Sequence, residues 1–339
     1  MKNKILFFLF IASTKIFAQQ FDNVGTSVAN FLKIGVGSRI EAMGGAGIAL
    51  VNDPTALYWN VAGLAHQEIN EYTISHNDWI ADVNQNFIGV GIPLSFGTLG
   101  VQLNYVSMGN MPVTTWEKPE GTGAQFQAFD ALLGIALATR MSDKFSVGGQ
   151  IKFLMEQISQ SSANAIAIDV GARYSTGWNG LAIGFVISNF GSEMRMYGRD
   201  LRIKTDPFPT AGSNPGDVIS NLEAQNWSLP LYFQIGTSMD LFNQDKIKVI
   251  GSLDYRDERD YKPLLLTGTE VAYDDFLYGR FGLNQRYNLY GKSKISPSFG
   301  GGVKFTVPNN NNYTIKVDYS YSVLRDLLNA QRITISVQE

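Results

Sequence analysis

The chain has 339 residues, a formal net charge of -3, no cysteine and two histidines, His66 and His76. These counts exclude disulfides, thiol catalysis and metal sites built from cysteine or from several histidines. The charge provides no large basic field for nucleic acid, and a mean hydropathy of -0.05 argues against a bundle of membrane helices. We therefore expect no metal, no other cofactor and no nucleic-acid partner.

The first 18 residues have the pattern of an export signal. Lys2 and Lys4 precede a short apolar run over residues 5–12, and Ala18 is a small residue suited to cleavage before Gln19. The apolar run is shorter than the roughly 20 residues that a membrane-spanning helix needs. We therefore expect residues 1–18 to be a signal peptide, and a long exported chain without cysteine fits the Gram-negative outer membrane.

The next segment, residues 19–67, is rich in glycine and shows no regular period. Within it, Asp53 and Pro54 are typical of a helix start. Aspartate caps the first turn, and proline lacks the backbone N–H that would have no partner within the helix at this position. Gly63 lies near the expected end of that short helix. The segment is too short and too broken by glycine to fold alone, so we expect a plug held inside a larger structure.

No stretch of the sequence carries a recognisable catalytic or nucleotide-binding motif. The run Gly44-Gly45-Ala46-Gly47 superficially matches a phosphate loop, but a dinucleotide fingerprint needs a preceding strand and a following helix in a βαβ unit. No carboxylate pair lies near a nucleophile and a base in a known pattern. We therefore predict that the protein is not an enzyme, has no catalytic residues, and uses these small residues for tight packing.

From about Glu68 onward, apolar and polar residues alternate with a period of two, which is typical of strands with one apolar face. In residues 144–158, for example, Ile151 and Phe153 share one face while Lys152 lies on the other. The connections between these strands are mostly long and short in alternation, as in membrane barrels with short turns at one end. A soluble sandwich also alternates, but it has no reason to keep its long connections at one end.

These patterns predict an all-β fold, namely a transmembrane antiparallel β-barrel of about 14 strands over residues 68–339, with residues 19–67 as a small N-terminal helical plug. The barrel must close, because open sheet edges in hydrocarbon leave backbone donors and acceptors unpaired. We expect its apolar faces to contact outer-membrane lipid. An even number of strands predicts that both termini are periplasmic.

The inward strand positions carry charges of both signs, and we predict that they form a polar lumen that docks the plug. A solvated interior without specific partners is the alternative. The candidate partners of Arg39 are the inward carboxylates Glu156, Asp169, Asp254 and Asp318. The predicted plug and lumen residues are Arg39, Gly44, Gly45, Asp53, Pro54, Trp59, Asn60, Gly63, Lys152, Glu156, Asp169 and Arg173.

The longest connection spans residues 191–225, and a loop of this length usually indicates either function or disorder. It contains a Pro- and Gly-rich tract at 207–216. Its candidate partner-binding residues are Met194, Arg195, Met196, Tyr197, Arg199 and Arg202. Partner binding and disorder both remain open at this point.

A distinct signature runs through residues 31–65, comprising Phe31-Leu32-Lys33-Ile34-Gly35, Arg39, Met43-Gly44-Gly45-Ala46, Asp53, Leu57-Tyr58-Trp59-Asn60 and Ala62-Gly63-Leu64-Ala65. It resembles the N-terminal signature of the PorV/PorQ family, whose members are outer-membrane barrels of the FadL-like type known mainly from type IX secretion. Val61 stands where the family usually has proline, which leaves the turn after the asparagine less rigid.

The resemblance implies an accessory role in type IX secretion, in which the protein acts through secretion-translocon, attachment-complex or cargo proteins. The alternative is a FadL-like transporter or channel for hydrophobic small molecules. A continuous apolar pocket beside the plug would favour the transporter, and the sequence alone does not distinguish the two roles.

Overall fold

The structure is a computed structural model that describes residues 24–206, 218–287, 293–307, 313–324 and 329–339. The expected signal peptide, residues 1–18, and the Pro- and Gly-rich tract 207–216 lie outside these ranges. Among the described residues, no helix is both long and apolar enough to cross a membrane.

Fourteen antiparallel strands of the described chain close into one barrel, in which every strand pairs with both of its neighbours. The barrel strands are β1 (Glu71–Asp78), β2 (Asn84–Leu94), β3 (Gly97–Pro112), β4 (Gln125–Arg140), β5 (Phe145–Ile158), β6 (Ser161–Ser175), β7 (Ala182–Gly191), β11 (Tyr232–Gln244), β12 (Ile247–Glu258), β13 (Leu264–Tyr273), β14 (Leu277–Tyr287), β15 (Ser293–Val307), β16 (Tyr313–Ser322) and β17 (Ala330–Gln338). Three short strands, β8 (Tyr197–Gly198), β9 (Arg202–Thr205) and β10 (Val218–Asn221), lie between β7 and β11.

The first and last strands complete the barrel, with Glu71 of β1 opposite Gln338 of β17 and Asp78 opposite Gln331. This pairing leaves no barrel strand with an open edge, which is the condition for crossing a bilayer. The prediction of a closed antiparallel barrel of about 14 strands is confirmed.

The two ends of the barrel differ in their connections. At the turn end, where β17 ends and β1 begins, the connections are residues 95–96, 141–144, 176–181, 245–246, 274–276 and 308–312. At the opposite end, the loop end, they are residues 79–83, 113–124, 159–160, 192–231, 259–263, 288–292 and 323–329. The longest connections all belong to the loop end, as the alternation of loop lengths predicted, although residues 159–160 form one short turn there.

The outward face of the barrel is apolar. On β6, Ile168 and Val170 are 44% and 55% exposed, whereas Asp169 between them is 3% exposed. Ile151 and Phe153 on β5 are 62% and 49% exposed. The structure therefore has the predicted strand faces, because neighbouring strand side chains point to opposite sides of the sheet.

Residues 24–66 fill the lumen and run from the loop end to the turn end. Their helical segments are Asn30–Lys33, Ser38–Ala42, Ala56–Trp59 and Val61–His66, the first and last being 3-10 helices. Near the loop end, the Gly25 amide donates to the Asp260 carbonyl at 3.3 Å. At the turn end, Arg140 Nε donates to the Ala65 carbonyl at 2.8 Å.

The first and last described residues lie at opposite ends of the barrel. Gly25 is at the loop end, whereas the Glu339 amide donates to the Asn70 carbonyl at 3.0 Å at the turn end. The plug thus runs the length of the lumen before β1 begins, and the periplasmic location of both termini stays a prediction. Residues 1–23 lie outside the described ranges.

Ile168→Arg should destabilise the barrel in a lipid bilayer by about 2 to 4 kcal/mol, because this outward position is in the middle of β6. The matched control is Tyr174→Arg, on the same face of the same strand but close to the turn end, which should cost only about 0 to 1 kcal/mol. Guanidinium unfolding in phospholipid vesicles measures both free energies of unfolding. Equal costs at the two positions would contradict the assignment of this face to lipid.

Candidate functional site

The plug and the wall touch backbone to backbone where the wall carries glycine. A Cβ on Gly268 of β13 would lie 2.6 Å from the Met43 carbonyl oxygen, and one on Gly282 of β14 would overlap the Met43 backbone. On the plug side, Gly44 and Gly45 have φ angles of 69° and 83°, a left-handed conformation that favours glycine. Sequence reasoning identified the plug glycines but did not single out Gly268 and Gly282 of the wall, whose signal was isolated glycine within alternating strands.

Trp59 joins two parts of the plug and contacts the wall. It is 2% exposed, and its indole Nε1 donates to the Val36 carbonyl at 2.7 Å. The Tyr58 ring packs edge-on against it, with ring centroids 4.9 Å apart. On the wall side, the Arg256 guanidinium of β12 lies 5.7 Å from the indole centroid.

Asp53 fixes the turn before the helix Ala56–Trp59. Its carboxylate accepts the Thr55 amide at 2.8 Å and also the Thr55 hydroxyl, with Pro54 between the two residues. Gly63 was predicted near the end of this helix, but it lies within the following 3-10 helix. A Cβ on Gly63 would overlap a carbonyl oxygen of the plug, so close packing, and not helix termination, accounts for the glycine.

Asn60 links the plug to the wall near the turn end. Its Nδ2 donates to the Ile48 carbonyl at 2.8 Å and to the Ala172 carbonyl of β6 at 3.2 Å. Its Oδ1 accepts the Ala62 amide at 3.1 Å. A Cβ on the neighbouring Gly171 would overlap this side chain, so the wall leaves room for it.

His66 ends the plug, with its Nε2 3.2 Å from the Ser146 hydroxyl. Burial lowers the pKa of His66 to about 4, and the positive charges of Arg173 and Arg140 act in the same direction. The imidazole is therefore neutral at physiological pH. The Nε atom of Arg173 has no hydrogen-bond partner among the described residues. Within the described ranges, no three His, Asp or Glu side chains are grouped so that they could hold a metal ion.

A buried network of charges joins the plug to the wall. Arg39 Nε and Nη2 donate to the two carboxylate oxygens of Glu270 on β13 at 2.9 and 2.8 Å. Glu270 also accepts Arg280 Nε at 2.6 Å, and Arg280 pairs with Asp318. Burial by itself lowers the pKa of Arg39, but the Glu270 carboxylate more than offsets this effect and raises it above the ordinary value.

The partner of Arg39 is thus Glu270, and the prediction of its partner is wrong. The predicted partners were Glu156, Asp169, Asp254 and Asp318. Asp254 instead accepts the backbone amides of Gly47 and Ile48 at 2.9 and 3.2 Å. Asp254 therefore holds the plug through backbone amides. The sequence of side chains does not show which backbone amides make such contacts.

Lys152 and Asp169 form an ion pair within the wall. Lys152 Nζ lies 2.7 Å from Asp169 Oδ1, and both side chains are buried. Asp169 also accepts the Asn189 amide of β7 at 2.8 Å. These two predicted lumen residues therefore neutralise each other across β5 and β6.

An apolar cavity of about 710 Å³ lies at the loop end, between the plug and the wall. Its apolar lining includes Phe31, Ile34, Val83, Val106, Met108 and Trp227. Glu156 lines this cavity together with Asp130, a residue that sequence reasoning missed. Small-molecule sites are typically concave, mostly apolar and about 300 to 1,000 Å³ in volume, so this cavity has the size and lining of a binding site.

The start of the longest connection packs onto the barrel. Met194 is 1% exposed, and its backbone exchanges hydrogen bonds of 2.9 Å with that of Trp227. Met194 belongs to an apolar cluster with Leu132 and Leu154 of the wall, and the partly buried Met196 packs against this cluster. The prediction that Met194 offers apolar contact to a partner is therefore wrong, because its side chain is already used in the core.

The basic residues of this connection are more accessible. The Arg195 guanidinium lies 4.4 Å from the centroid of the Tyr197 ring and pairs with Glu223. Tyr197, Arg199 and Arg202 are exposed. These four predicted partner-binding residues are therefore at the surface of the loop end.

Glu270→Gln should destabilise the protein by about 3 to 5 kcal/mol, because it leaves the buried Arg280 guanidinium and the partly buried Arg39 guanidinium short of a counter-charge. The matched control is Asp274→Asn. It breaks the Lys246–Asp274 pair, whose side chains are 61% and 53% exposed, and should cost at most about 1 kcal/mol. Guanidinium unfolding of the refolded barrel measures both variants. A loss for Glu270→Gln as small as that of the control would show that the buried network does not stabilise the fold.

Removal of residues 31–65 should open the lumen, because the strand ladder closes without the plug. Single-channel recording in a planar bilayer should find the full chain nearly closed and the deleted chain conducting like an open pore. Trp59→Ala, which removes a large buried surface at a cost of about 3 to 5 kcal/mol, should give intermediate, fluctuating conductance. Open-pore conductance by the full chain would show that the plug does not seal the lumen.

The comparisons with known proteins identify the fold. No protein-family model matches the chain, and no curated protein sequence matches it. Among solved structures, the CymD monoaromatic hydrocarbon channel is 12% identical with a TM-score of 0.60, over 90% of this chain and 96% of that one. The Pseudomonas putida toluene transporter TodX is 12% identical with a TM-score of 0.56, over 90% and 97%.

A Pseudomonas aeruginosa FadL homologue is similar over 93% of this chain and 99% of its own, with 13% identity and a TM-score of 0.53. At such low identities the likeness concerns the fold alone. The PorV/PorQ resemblance of residues 31–65 stays a prediction. The chain folds as a FadL-like barrel.

Proposed function

We propose that the protein is an outer-membrane channel for small hydrophobic molecules, the alternative that the sequence analysis left open. The observation that carries the proposal is the apolar cavity beside the plug. A channel for hydrophobic molecules uses an apolar cavity to bind them, whereas a protein that acts through contacts with other proteins does not need such a cavity. The fold adds support, because similar structures include a monoaromatic hydrocarbon channel and a toluene transporter.

The position of the cavity suits uptake from outside the cell. The apolar outward faces of the strands fit a lipid bilayer. In outer-membrane barrels the longer loops are extracellular and the short turns periplasmic, which puts the loop end of this barrel outside. The cavity then receives molecules from the surroundings before they reach the rest of the plug.

The floor of the cavity is formed by the 3-10 helix Asn30–Lys33. Its side chains Phe31 and Leu32 are 4% and 3% exposed and belong to one apolar cluster with Val106 and Leu132 of the wall. A molecule that moves from the cavity toward the turn end would have to separate these contacts. A hydrophobic molecule can replace them with its own apolar contacts, which lowers the free-energy cost of moving this helix.

Two side-chain contacts tie the residues of this helix to the rest of the protein, and Val28 and Ile34 beside it make further hydrogen bonds with Ser228 and Gln85. The Tyr58 hydroxyl donates to the Leu32 carbonyl at 3.1 Å, and Lys33 pairs with Asp260. The lower plug is instead anchored by the buried charge network around Glu270. We therefore expect the upper plug to move during passage while the lower plug stays in place.

The accessory role in type IX secretion rests on the resemblance of residues 31–65 to the PorV/PorQ signature. The β9–β10 hairpin adds accessible apolar side chains at the loop end, with Ile203, Val218 and Ile219 being 41%, 48% and 66% exposed. Such a surface would suit contact with a translocon, attachment-complex or cargo protein. This role does not use the cavity, so a variant that fills the cavity separates the two functions.

Met108→Trp should weaken the binding of toluene at least about tenfold, a loss of roughly 1.4 kcal/mol, because the larger side chain occupies the cavity. Isothermal titration of the purified barrel against toluene, with empty micelles as the blank, measures the affinity. Uptake of labelled toluene by cells that carry the barrel in their outer membrane should fall in parallel.

The matched control is Leu103→Trp, on the same strand but with its side chain outward and 42% exposed. It should leave both toluene binding and uptake unchanged. Unchanged binding in Met108→Trp would contradict the channel proposal. If the parent chain binds no toluene but captures exported cargo, the secretion role becomes the better explanation.

A further inference from the structure

Two carboxylates face the loop-end cavity side by side. Asp130 on β4 and Glu156 on β5 are direct cross-strand partners, and both line the cavity. Directly opposed side chains on one face of an antiparallel pair have Cβ atoms about 5 Å apart. We call these two residues the carboxylate pair. Two acidic groups therefore lie close together in a site of mostly apolar character.

Asp130 lacks a partner within the described chain. It is 7% exposed, yet its carboxylate makes no hydrogen bond and no ion pair with any described residue. The charged group that acts on it is another acid, Glu156, which itself has a backbone hydrogen bond with Ala29 of the plug. Since burying a carboxylate without a counter-charge is costly, a cation placed here would be strongly stabilised.

Among the described residues of the wall, those that flank the carboxylate pair carry no positive charge. Val106 and Ala163 flank the pair in the same row of inward positions. The next inward row toward the turn end is Leu132 and Leu154, which belong to the apolar cluster under the cavity. The pair is therefore a small acidic site within an apolar wall.

Lys33 is the one basic side chain among the described residues that line the cavity. Its ammonium group pairs with Asp260, which is 1% exposed. The Ser27 hydroxyl donates to the same carboxylate. Because the Asp260 carboxylate already neutralises the Lys33 ammonium group, the charge that the cavity offers to a bound molecule is negative.

We propose that the cavity selects hydrophobic molecules that carry a protonated amine. The ammonium group lies between the carboxylates of Asp130 and Glu156, and the apolar part of the molecule packs against Phe31, Val106 and Met108. This inference rests on the proposed channel function and names its class of substrate. Charge-assisted hydrogen bonds are roughly twice as strong as neutral ones, so an amine binds more tightly than an alcohol of equal size, and a carboxylate is repelled.

The test compares octylamine, 1-octanol and octanoate by isothermal titration of the purified barrel at pH 7, with empty micelles as the blank. Octylamine should bind about tenfold or more tightly than 1-octanol, and octanoate should bind weakest. The double variant Asp130→Asn/Glu156→Gln should lose this preference and keep its affinity for 1-octanol. Retained binding of 1-octanol also shows that the cavity is still folded.

The matched control variant is Asp82→Asn, which removes an acid from the exposed connection 79–83 near the cavity. Asp82 has a φ of 59°, a left-handed conformation that asparagine tolerates equally well. This variant should keep the full preference for octylamine. An equal loss of preference in Asp82→Asn would assign the effect to general surface charge and overturn the proposal.

The other outcomes separate this inference from the channel function. If 1-octanol binds but octylamine binds no more tightly, or if the double variant keeps the preference, amine selection is overturned and the channel function stands. If the parent binds none of the three molecules, the channel function fails as well. Binding of Ca²⁺, titrated alone as calcium chloride and abolished in the double variant, would replace the amine with a divalent cation.

Discussion

The width of a fourteen-stranded lumen is the constraint on which the rest of this structure depends. A barrel of about eight strands is filled by its own side chains, whereas wider barrels contain a channel or a plug. Here residues 24–66 fill the space, and the wall accommodates their backbone with glycine at positions such as Gly148, Gly268 and Gly282. The fit of the plug therefore depends on the sequence of the wall strands as well as on the sequence of the plug.

What holds the plug changes along the barrel axis. In the middle and toward the turn end, polar groups fix it, through Arg39 and Glu270, through Asp254 and the plug amides, and through Asn60. At the loop end, Phe31 and Leu32 make apolar contacts, Lys33 pairs with Asp260, and the Val28 amide donates to the Ser228 carbonyl at 3.1 Å. Buried ion pairs are costly to break one partner at a time, whereas apolar contacts can be exchanged for those of an apolar molecule.

The errors of sequence reasoning share one physical cause. Alternation places Asp254, Glu270 and Asp318 equally on the inward face, so it does not show which of them meets Arg39. That choice depends on the order of strands around the barrel and on the depth of the plug. Met194 was misjudged for a similar reason, because its burial follows from a contact with Trp227 that lies far along the chain.

The sequence by itself determined the barrel, the approximate number of strands, the lipid-facing positions such as Ile168, and the existence of a glycine-rich segment apart from the strands. These features follow from local properties, since side chains alternate along any strand and glycine interrupts any regular pattern. Only the tertiary structure decided the partner of Arg39, the cavity, and the meeting of Asp130 with Glu156. Those depend on strand register and on the path of the plug, and a slip of one residue in register would turn one carboxylate of the pair away from the cavity.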